Sequence, residues 1–316
     1  MSDSYLQQLG YSLGSERRSI EQAEQAGVLL STIQALKESG FEQHFICAES
    51  ETAYQLACNA LVDSQIDTAE IDCIIYANCL PLNANHHQND AFESSRDVKD
   101  LMVFPASKLQ VEFGMENAFV IGLTQQACTC MLGSIRIANN FITAEENINN
   151  ILCISADNFP ENAYYEQAYN LISDGGAACL VSRKPQGFLI LTVKHITNGA
   201  QVLASDDETV GSYFSYLHQL ISETLLQINK TVADIDWVVP QNTNAKAWSI
   251  LASLLGIDEQ KAWFESLAEV GHVISSDNII NLARLDHSGK INKGDLVLVF
   301  MAGFGSNWQC MVVEKV

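Results

Sequence analysis

One seven-residue pattern occurs twice, half a chain apart, and it constrains the fold more than any other feature of the sequence. Ala69-Glu70-Ile71-Asp72-Cys73-Ile74-Ile75 reappears as Ala233-Asp234-Ile235-Asp236-Trp237-Val238-Val239, with small, acidic, branched and acidic positions matched before an apolar run. Each copy follows an amphipathic segment, Thr52 to Leu61 in the first and Tyr213 to Ile228 in the second, whose apolar residues recur near helical spacing. A helix, a short turn and a buried strand are therefore predicted twice. The most polar candidate boundary runs from Asn198 to Gly211, which divides the chain into an N-terminal half, 1–197, and a C-terminal half, 198–316, packed as one body.

Other segments follow the same grammar. Ala118 to Leu123, Ile151 to Ser155, Ala177 to Val181 and Leu296 to Phe300 are short continuous apolar runs, as expected of strands covered on both faces. Between them, Met131, Leu132, Ile135, Ala138 and Ile142 place one apolar face on a helix. Such alternation predicts α/β layers with helices flanking sheets. The chain has 316 residues, 47% of them apolar and 17% charged, which excludes a disordered chain and a small disulfide-stapled scaffold.

Acidic side chains outnumber basic ones 38 to 17, for a formal charge of −21. That charge argues against nucleic acid or an anionic membrane as a partner. The N-terminus has no basic segment followed by an apolar one, and the longest apolar run, Leu296 to Phe304, is shorter than the ~20 residues a bilayer requires. A cytoplasmic protein without a membrane segment is expected. Nine cysteines, an odd number, lie mostly within apolar runs, which fits a reducing compartment. Cys128-Thr129-Cys130 is C-x-C with no second pair at zinc-ligand distance, so no metal is expected. The stretch from Asn83 to Asp100, with His86 and His87, reads as a solvated loop.

Cys128 stands between a predicted strand and a predicted helix. Amides at a helix N-terminus stabilise an anion and lower a thiol pKa, so Cys128 is a candidate nucleophile; buried packing is the competing reading. Further motifs occur in order: Phe104-Pro105-Ala106-Ser107, Gln126-Ala127-Cys128, Ser173-Asp174-Gly175-Gly176-Ala177-Ala178, Pro240-Gln241-Asn242-Thr243-Asn244 and Phe304-Gly305-Ser306-Asn307-Trp308. The ordered set resembles 3-oxoacyl-[acyl-carrier-protein] synthase III and its relatives in the thiolase superfamily, from roughly residue 30 to the C-terminus.

The resemblance implies a thiolase-like α/β fold, two βαβαβαββ halves related by a pseudo-twofold axis in five α-β-α-β-α layers. It also implies an acyltransferase that forms an acyl-enzyme on Cys128 and condenses it with a malonyl-type thioester, losing carbon dioxide. The backbone N–H groups of Cys128 and Phe304 would form the oxyanion hole, with Gly303 and Gly305 flanking the second. Phe104 would reach across a dimer interface to the partner's acyl tunnel. The substrates would be acyl-CoA or acyl carrier protein thioesters, with no cofactor, and the assembly a homodimer or a heterodimer with a homologue.

Two positions depart from the family pattern. Gln241 occupies the usual histidine position and His272 the usual asparagine position. Both can donate a hydrogen bond, but only His272 can take a proton near neutral pH. His272 is therefore expected to activate Cys128 or the second substrate, with Gln241 a neutral donor; a helix-capping His272 is the bland alternative. Transfer to a hydroxyl, amine or thiol acceptor without condensation, or a non-catalytic subunit, are the competing functions. Where relatives carry arginines for coenzyme A phosphates, this chain has Lys37-Glu38-Ser39 and Glu42, leaving Arg17, Arg18, Arg136 and Lys246 as the nearby cations.

Overall fold

The two copies of the repeat make the same hydrogen bonds. In the computed structural model, which describes residues 3–84, 89–167, 170–200, 206–303 and 306–316, the Asp72 N–H donates to Asn150 O at 2.9 Å and its carboxylate accepts from Asn150 N–H at 2.9 Å. The Asp236 N–H donates to Leu296 O at 3.0 Å and its carboxylate accepts from Leu296 N–H at 2.8 Å. Each acid precedes its strand and ties it to the start of the next strand in the sheet. The matched acids thus have a structural reason for their position.

The N-terminal part contains β1 (Tyr5–Leu13), β2 (Glu16–Ser19), α1 (Ile20–Gln25), α2 (Ile33–Glu38), β3 (Gln43–Ile46), α3 (Ala53–Ser64), β4 (Cys73–Ala77), α4 (Asn89–Ser95), α5 (Pro105–Glu112) and β5 (Phe119–Leu123). It continues with α6 (Cys130–Ala144), β6 (Asn150–Asp157), β7 (Glu166–Gln167), β8 (Asn170–Leu171), β9 (Gly175–Ser182) and β10 (Phe188–Thr197). The rest is α7 (Asp206–Gln227), β11 (Trp237–Val239), α8 (Ala245–Leu255), α9 (Leu267–Val270), α10 (Asp277–His287), β12 (Leu296–Gly303) and β13 (Asn307–Lys315). Thr52 and Gln55 form a capping box that starts α3, an arrangement that contributes about 1 kcal/mol.

Nine strands form one sheet in the order β11-β12-β13-β10-β1-β9-β6-β4-β5. The order β4-β6-β9-β1 is mirrored by β11-β12-β13-β10, with the same sequence of parallel, antiparallel and antiparallel pairings. The half-sheets join where Tyr5 and Leu6 of β1 face Leu189 and Phe188 of β10. By strand pairing β10 lies with the C-terminal half, so the halves meet in the turn at 183–187, ahead of a division at 197/198.

Alternation along the strands separates the layers. Cys73, Ile75, Ile151, Cys153 and Val181 point to a central core with α6, and Val297, Val299, Met301 and Met311 reach the same core with α10. The intervening Ile74, Tyr76, Leu152, Ile154 and Ala178 face α3 and α5 on one outside. Leu298, Phe300, Cys310 and Val312 face α7 and α8 on the other. Helices, half-sheet, helices, half-sheet and helices make five layers, and strands covered on both faces explain the continuous apolar runs. Each buried aliphatic side chain contributes roughly 1.5–3 kcal/mol.

The symmetry is incomplete at its outer edges. β5 pairs with β4 over five register positions, whereas its counterpart is a single parallel bridge between Val238 and Ala262. The stretch from Asn83 to Asp100 departs from the expected loop: it carries α4 and a 3₁₀ turn at Val98–Leu101 capped by Asp97. These pieces are too short for periodicity to mark them. His86 and His87 lie outside the described residues.

Candidate active site

The pseudo-equivalent central helices α6 and α10 are each entered through a 3₁₀ turn, Ala127–Thr129 and Ile274–Ser276. The turns touch, with Ser275 Oγ donating to Ala127 O at 3.4 Å. Each contains a non-glycine residue in the left-handed region, Ala127 at φ 47° and Ile274 at φ 50°. Such backbone costs of order 1–3 kcal/mol and is rarest for a β-branched residue. These bends accompany the approach of two side chains from opposite halves: Cys128 Sγ lies 3.6 Å from His272 Nε2. Cys128 is 8% exposed and His272 5%.

A third group stands behind the imidazole. Asp277 Oδ2 is 2.5 Å from His272 Nδ1 and accepts from Asn242 N–H at 2.7 Å, while Oδ1 accepts from Val273 N–H at 2.6 Å. Asp277 is fully buried at the first residue of α10, where the helix dipole favours a negative charge. A carboxylate on Nδ1 fixes the tautomer with Nδ1–H and turns Nε2 toward Cys128.

Burial opposes a charged His272, but the charge and hydrogen bond of Asp277, followed by the Cys128 sulfur, outweigh it and raise the imidazole to about 10. A hydrogen bond from the Cys79 thiol, opposed by burial and reinforced by His272, holds Cys128 well below the usual thiol range. The two shifts act in the same direction, favouring a negative sulfur beside a positive imidazole. Asp277 escaped the sequence reading, because an aspartate in the first turn of a helix reads as a cap; its place five residues after His272 was the available signal.

The backbone N–H of Cys128 is among the donors that a helix start leaves without an internal acceptor. Beside it, a Cβ on Gly303 would sit 3.2 Å from Cys128 N and 2.9 Å from Gln126 O, so β12 approaches this closely because the residue is glycine. Phe304 and Gly305 lie outside the described residues.

Comparison with known proteins gives the family and the fold. Residues 124–199 match the 3-oxoacyl-[acyl-carrier-protein (ACP)] synthase III family and residues 225–315 its C-terminal counterpart. The chain belongs to the 3-oxoacyl-[acyl-carrier-protein] synthase III-like proteins of the thiolase superfamily. It is 24% identical to a beta-ketoacyl-[acyl-carrier-protein] synthase III of Rickettsia bellii, over 85% of this chain and 86% of that protein. The fold matches the 3-oxoacyl-[acyl-carrier-protein] synthase III of Aquifex aeolicus with a TM-score of 0.81 at 18% identity, covering 99% of this chain and 100% of that one. It also matches the acyltransferase ChlB3, with a TM-score of 0.82 at 17% identity, covering 99% of this chain and 98% of that one. The protein is thus a ketosynthase III-family condensing enzyme of the acyltransferase class.

In this ketosynthase III-like chain Gln241 is buried, and its Oε1 accepts from Ala302 N–H at 2.5 Å. Its amide is thereby oriented, with the Nε2 donors unclaimed by any described protein group. Ala302 adjoins Gly303, whose backbone packs on Cys128. Phe104 precedes α5, 53% exposed, beside the equally uncovered Met102 and Val103. The cations near the expected coenzyme A site are matched by acids: Lys37 with Glu21 at 2.8 Å, Lys246 with Glu38 at 2.7 Å and Arg18 with Glu16 at 2.8 Å. Lys37 and Glu21 line a cleft of about 490 Å³ with Gly40, Phe41 and Glu42. Arg17 is exposed, and Arg136 lies half-buried on α6. Among the described residues no helix is long and apolar enough to cross a membrane.

Proposed function

We propose that Cys128 takes an acyl group from a thioester and joins it to a malonyl-type thioester with loss of carbon dioxide. The observation that carries this reading is the Cys128–His272–Asp277 line, with sulfur 3.6 Å from the imidazole and the carboxylate 2.5 Å behind it. The Cys128 thiolate attacks the incoming carbonyl, and the oxyanion is received by the Cys128 N–H and, by family resemblance, that of Phe304. His272 gives its Nε2 proton to the departing thiolate, which leaves as a thiol. The malonyl-type carboxylate then departs as carbon dioxide, and its electron pair becomes an enolate that accepts from Gln241 Nε2–H. The enolate carbon attacks the Cys128 thioester and expels the thiolate, while His272 regains a proton from solvent.

The acyl group would arrive on coenzyme A or an acyl carrier protein, and the paired cations leave little free positive charge for either. The exposed Phe104 surface would be covered by a second copy, or by a homologue, in a dimer. The reducing cytoplasm, where nine free thiols persist, is the matching compartment.

One observation favours a second reading, transfer to a hydroxyl or amine: a single imidazole backed by a carboxylate is the usual base for activating such an acceptor. Intact-mass measurement after incubation with acyl thioesters decides the first step. An acyl adduct on the wild type and none on Cys128→Ser is expected; no wild-type adduct would leave the non-catalytic subunit. Carbon dioxide release on adding a malonyl thioester then supports condensation, whereas adduct loss to an alcohol or amine with no gas supports simple transfer.

A further inference from the structure

We propose that Asn242, Ser266 and Asn281 form a closed ring of buried hydrogen bonds that positions His272 and Gln241 together, so that both chemical steps depend on one polar unit. Asn242 follows β11, Ser266 precedes α9, and Asn281 lies one turn beyond Asp277 on α10. All three are buried. Asn242 Nδ2 donates to Ser266 Oγ at 2.9 Å, the Ser266 hydroxyl donates to Asn281 Oδ1, and Asn281 Nδ2 donates to Asn242 Oδ1 at 2.9 Å, which closes the ring. Each amide then has one N–H left over.

Those remaining donors reach the residues that precede the two chemical groups. The second Nδ2–H of Asn242 donates to Gly271 O at 2.9 Å, the carbonyl next to His272. The second Nδ2–H of Asn281 donates to Pro240 O at 3.1 Å, the carbonyl next to Gln241. The backbone N–H of Asn242 adds its bond to Asp277 Oδ2 at 2.7 Å, the same oxygen that faces His272 Nδ1. One unit therefore holds the imidazole, its carboxylate and the neighbouring glutamine.

The backbone at 271 explains why a side-chain amide is needed there. Gly271 has φ 66° and ψ −161°, a conformation essentially reserved for glycine, and a Cβ would lie 2.9 Å from Leu171 O. His272 N–H donates to Leu171 O at 2.8 Å and Ser173 N–H donates to His272 O at 2.9 Å, so the N-terminal half holds residue 272 itself. The buried Gly271 carbonyl takes its donor from Asn242, and without one it would be costly. The other entrance is served by an open arrangement. Gln309 Nε2 donates to Gln126 Oε1 at 2.9 Å and to Thr129 O at 3.1 Å, on either side of Cys128, but Gln309 Oε1 has no partner. In a closed ring every member depends on the others, so the three residues should act as a unit. The Ser266 hydroxyl touches neither output carbonyl, so removing it tests the ring and not a direct contact with the site.

The inference rests on the proposed roles of His272 in acylation and Gln241 at the enolate, and alkylation of Cys128 by iodoacetamide is a readout that needs neither step. Ser266→Ala is compared with the wild type and with Thr224→Val, which removes an equally buried hydroxyl, donating to Leu220 O at 2.6 Å, from the outer helix α7. Both variants should lose urea midpoint. Ser266→Ala alone should lower acyl-adduct formation and carbon dioxide release, each about tenfold, since misplacing reacting groups by about 1 Å can cost as much as about 10²-fold. Its alkylation rate should fall more steeply from about pH 8 to about pH 6 than in the wild type, as the imidazole loosens from the sulfur, whereas Thr224→Val should keep the wild-type profile. If Ser266→Ala does not fold, Ser266→Cys, with a weak donor in place of the hydroxyl, should show the same pattern in smaller measure. Wild-type rates and profile in a folded Ser266 variant, or a loss confined to one step, overturn the ring and leave the proposed function standing. An absent wild-type adduct sinks the proposed function, and the alkylation profiles then still decide whether the ring holds His272.

Discussion

The starts of α6 and α10 occupy equivalent places in the two halves, yet they carry opposite chemistry. The first turn of α6 has no acidic side chain and no side-chain cap, and it follows directly on the turn that carries Cys128. The first turn of α10 begins with Asp277, whose carboxylate consumes that positive end and holds a histidine. Duplication supplied two helix N-termini that meet at the middle of the molecule. The two entrances bring a thiol, an imidazole and a carboxyl group into one line, sulfur 3.6 Å from Nε2 and Oδ2 2.5 Å from Nδ1.

The most severe way to break the contrast is to remove a charged member. Cys128→Ala should abolish the acyl adduct altogether, as read by intact mass. His272→Ala should lower the acylation rate by about 10²–10⁴, the usual span for losing a general acid–base group. A His272→Ala protein acylating at the wild-type rate would return His272 to a helix-capping role.

Asp277→Asn keeps the shape of the α10 entrance and removes its charge. Alkylation of Cys128 by iodoacetamide should depend less steeply on pH between about 6 and 8 in the wild type than for an ordinary thiol, because the thiol is held well below its usual range. In the Asn variant the rate should rise with pH over that window, because the imidazolium that supports the sulfur's charge is lost. Stability follows the same linkage. The contribution of His272, raised to about 10, is fully present below its unfolded value of 6.5 and is lost as pH rises through about 10. Cys128, depressed, contributes above its unfolded value and loses that contribution as pH falls through its folded one. A flat stability profile between the two limits in Asp277→Asn, against a dome in the wild type, would carry the same message.

How far this site could be read from the sequence differs between the two entrances. Cys128 was legible because a strand, a short turn and a helix bracket it in an ordered set of motifs. His272 was legible only by position against the family pattern. Asp277 was not, because its partner is reached by the backward bend at Gly271 to Ile274, and no periodicity reports a left-handed isoleucine. The strand cores were legible because burial on both faces leaves an apolar run. The start of α7 was missed, its helix beginning at Asp206 rather than near Tyr213, since Asp206-Asp207-Glu208 is polar throughout. The bridge at Ala262 has no sequence signal at all: a lone pairing needs only that the backbone pass nearby.

Gln241 sharpens the contrast at the second chemical step. Its oriented amide is proposed to serve the enolate and not the thiolate, so Gln241→Leu should lower carbon dioxide release about 10²–10³-fold, the cost of one oxyanion donor. Formation of the Cys128 adduct should be nearly unchanged. Equal losses in both steps would mean that the amide positions the β12 end through Ala302 and does not act on the second substrate.

The smallest effect tests the duplication away from the chemistry. Asp72 accepts from both Asn149 and Asn150 N–H, whereas the described bond of the exposed Asp236 carboxylate to the next strand is the one from Leu296 N–H. Hydrogen bonds of this kind contribute about 1 kcal/mol net, less where solvent competes. Asp236→Ala should therefore lower the unfolding free energy by about 1 kcal/mol and Asp72→Ala by roughly twice that, as shifts in urea midpoint at constant slope. The two sites lie in different half-sheets with no shared partner, so the double variant should show the sum. Acylation rates should match the wild type in all three. A double variant far less stable than the sum would mean that the two halves support each other through the β1–β10 junction, and that the repeat is a coupled pair of clamps instead of two independent ones.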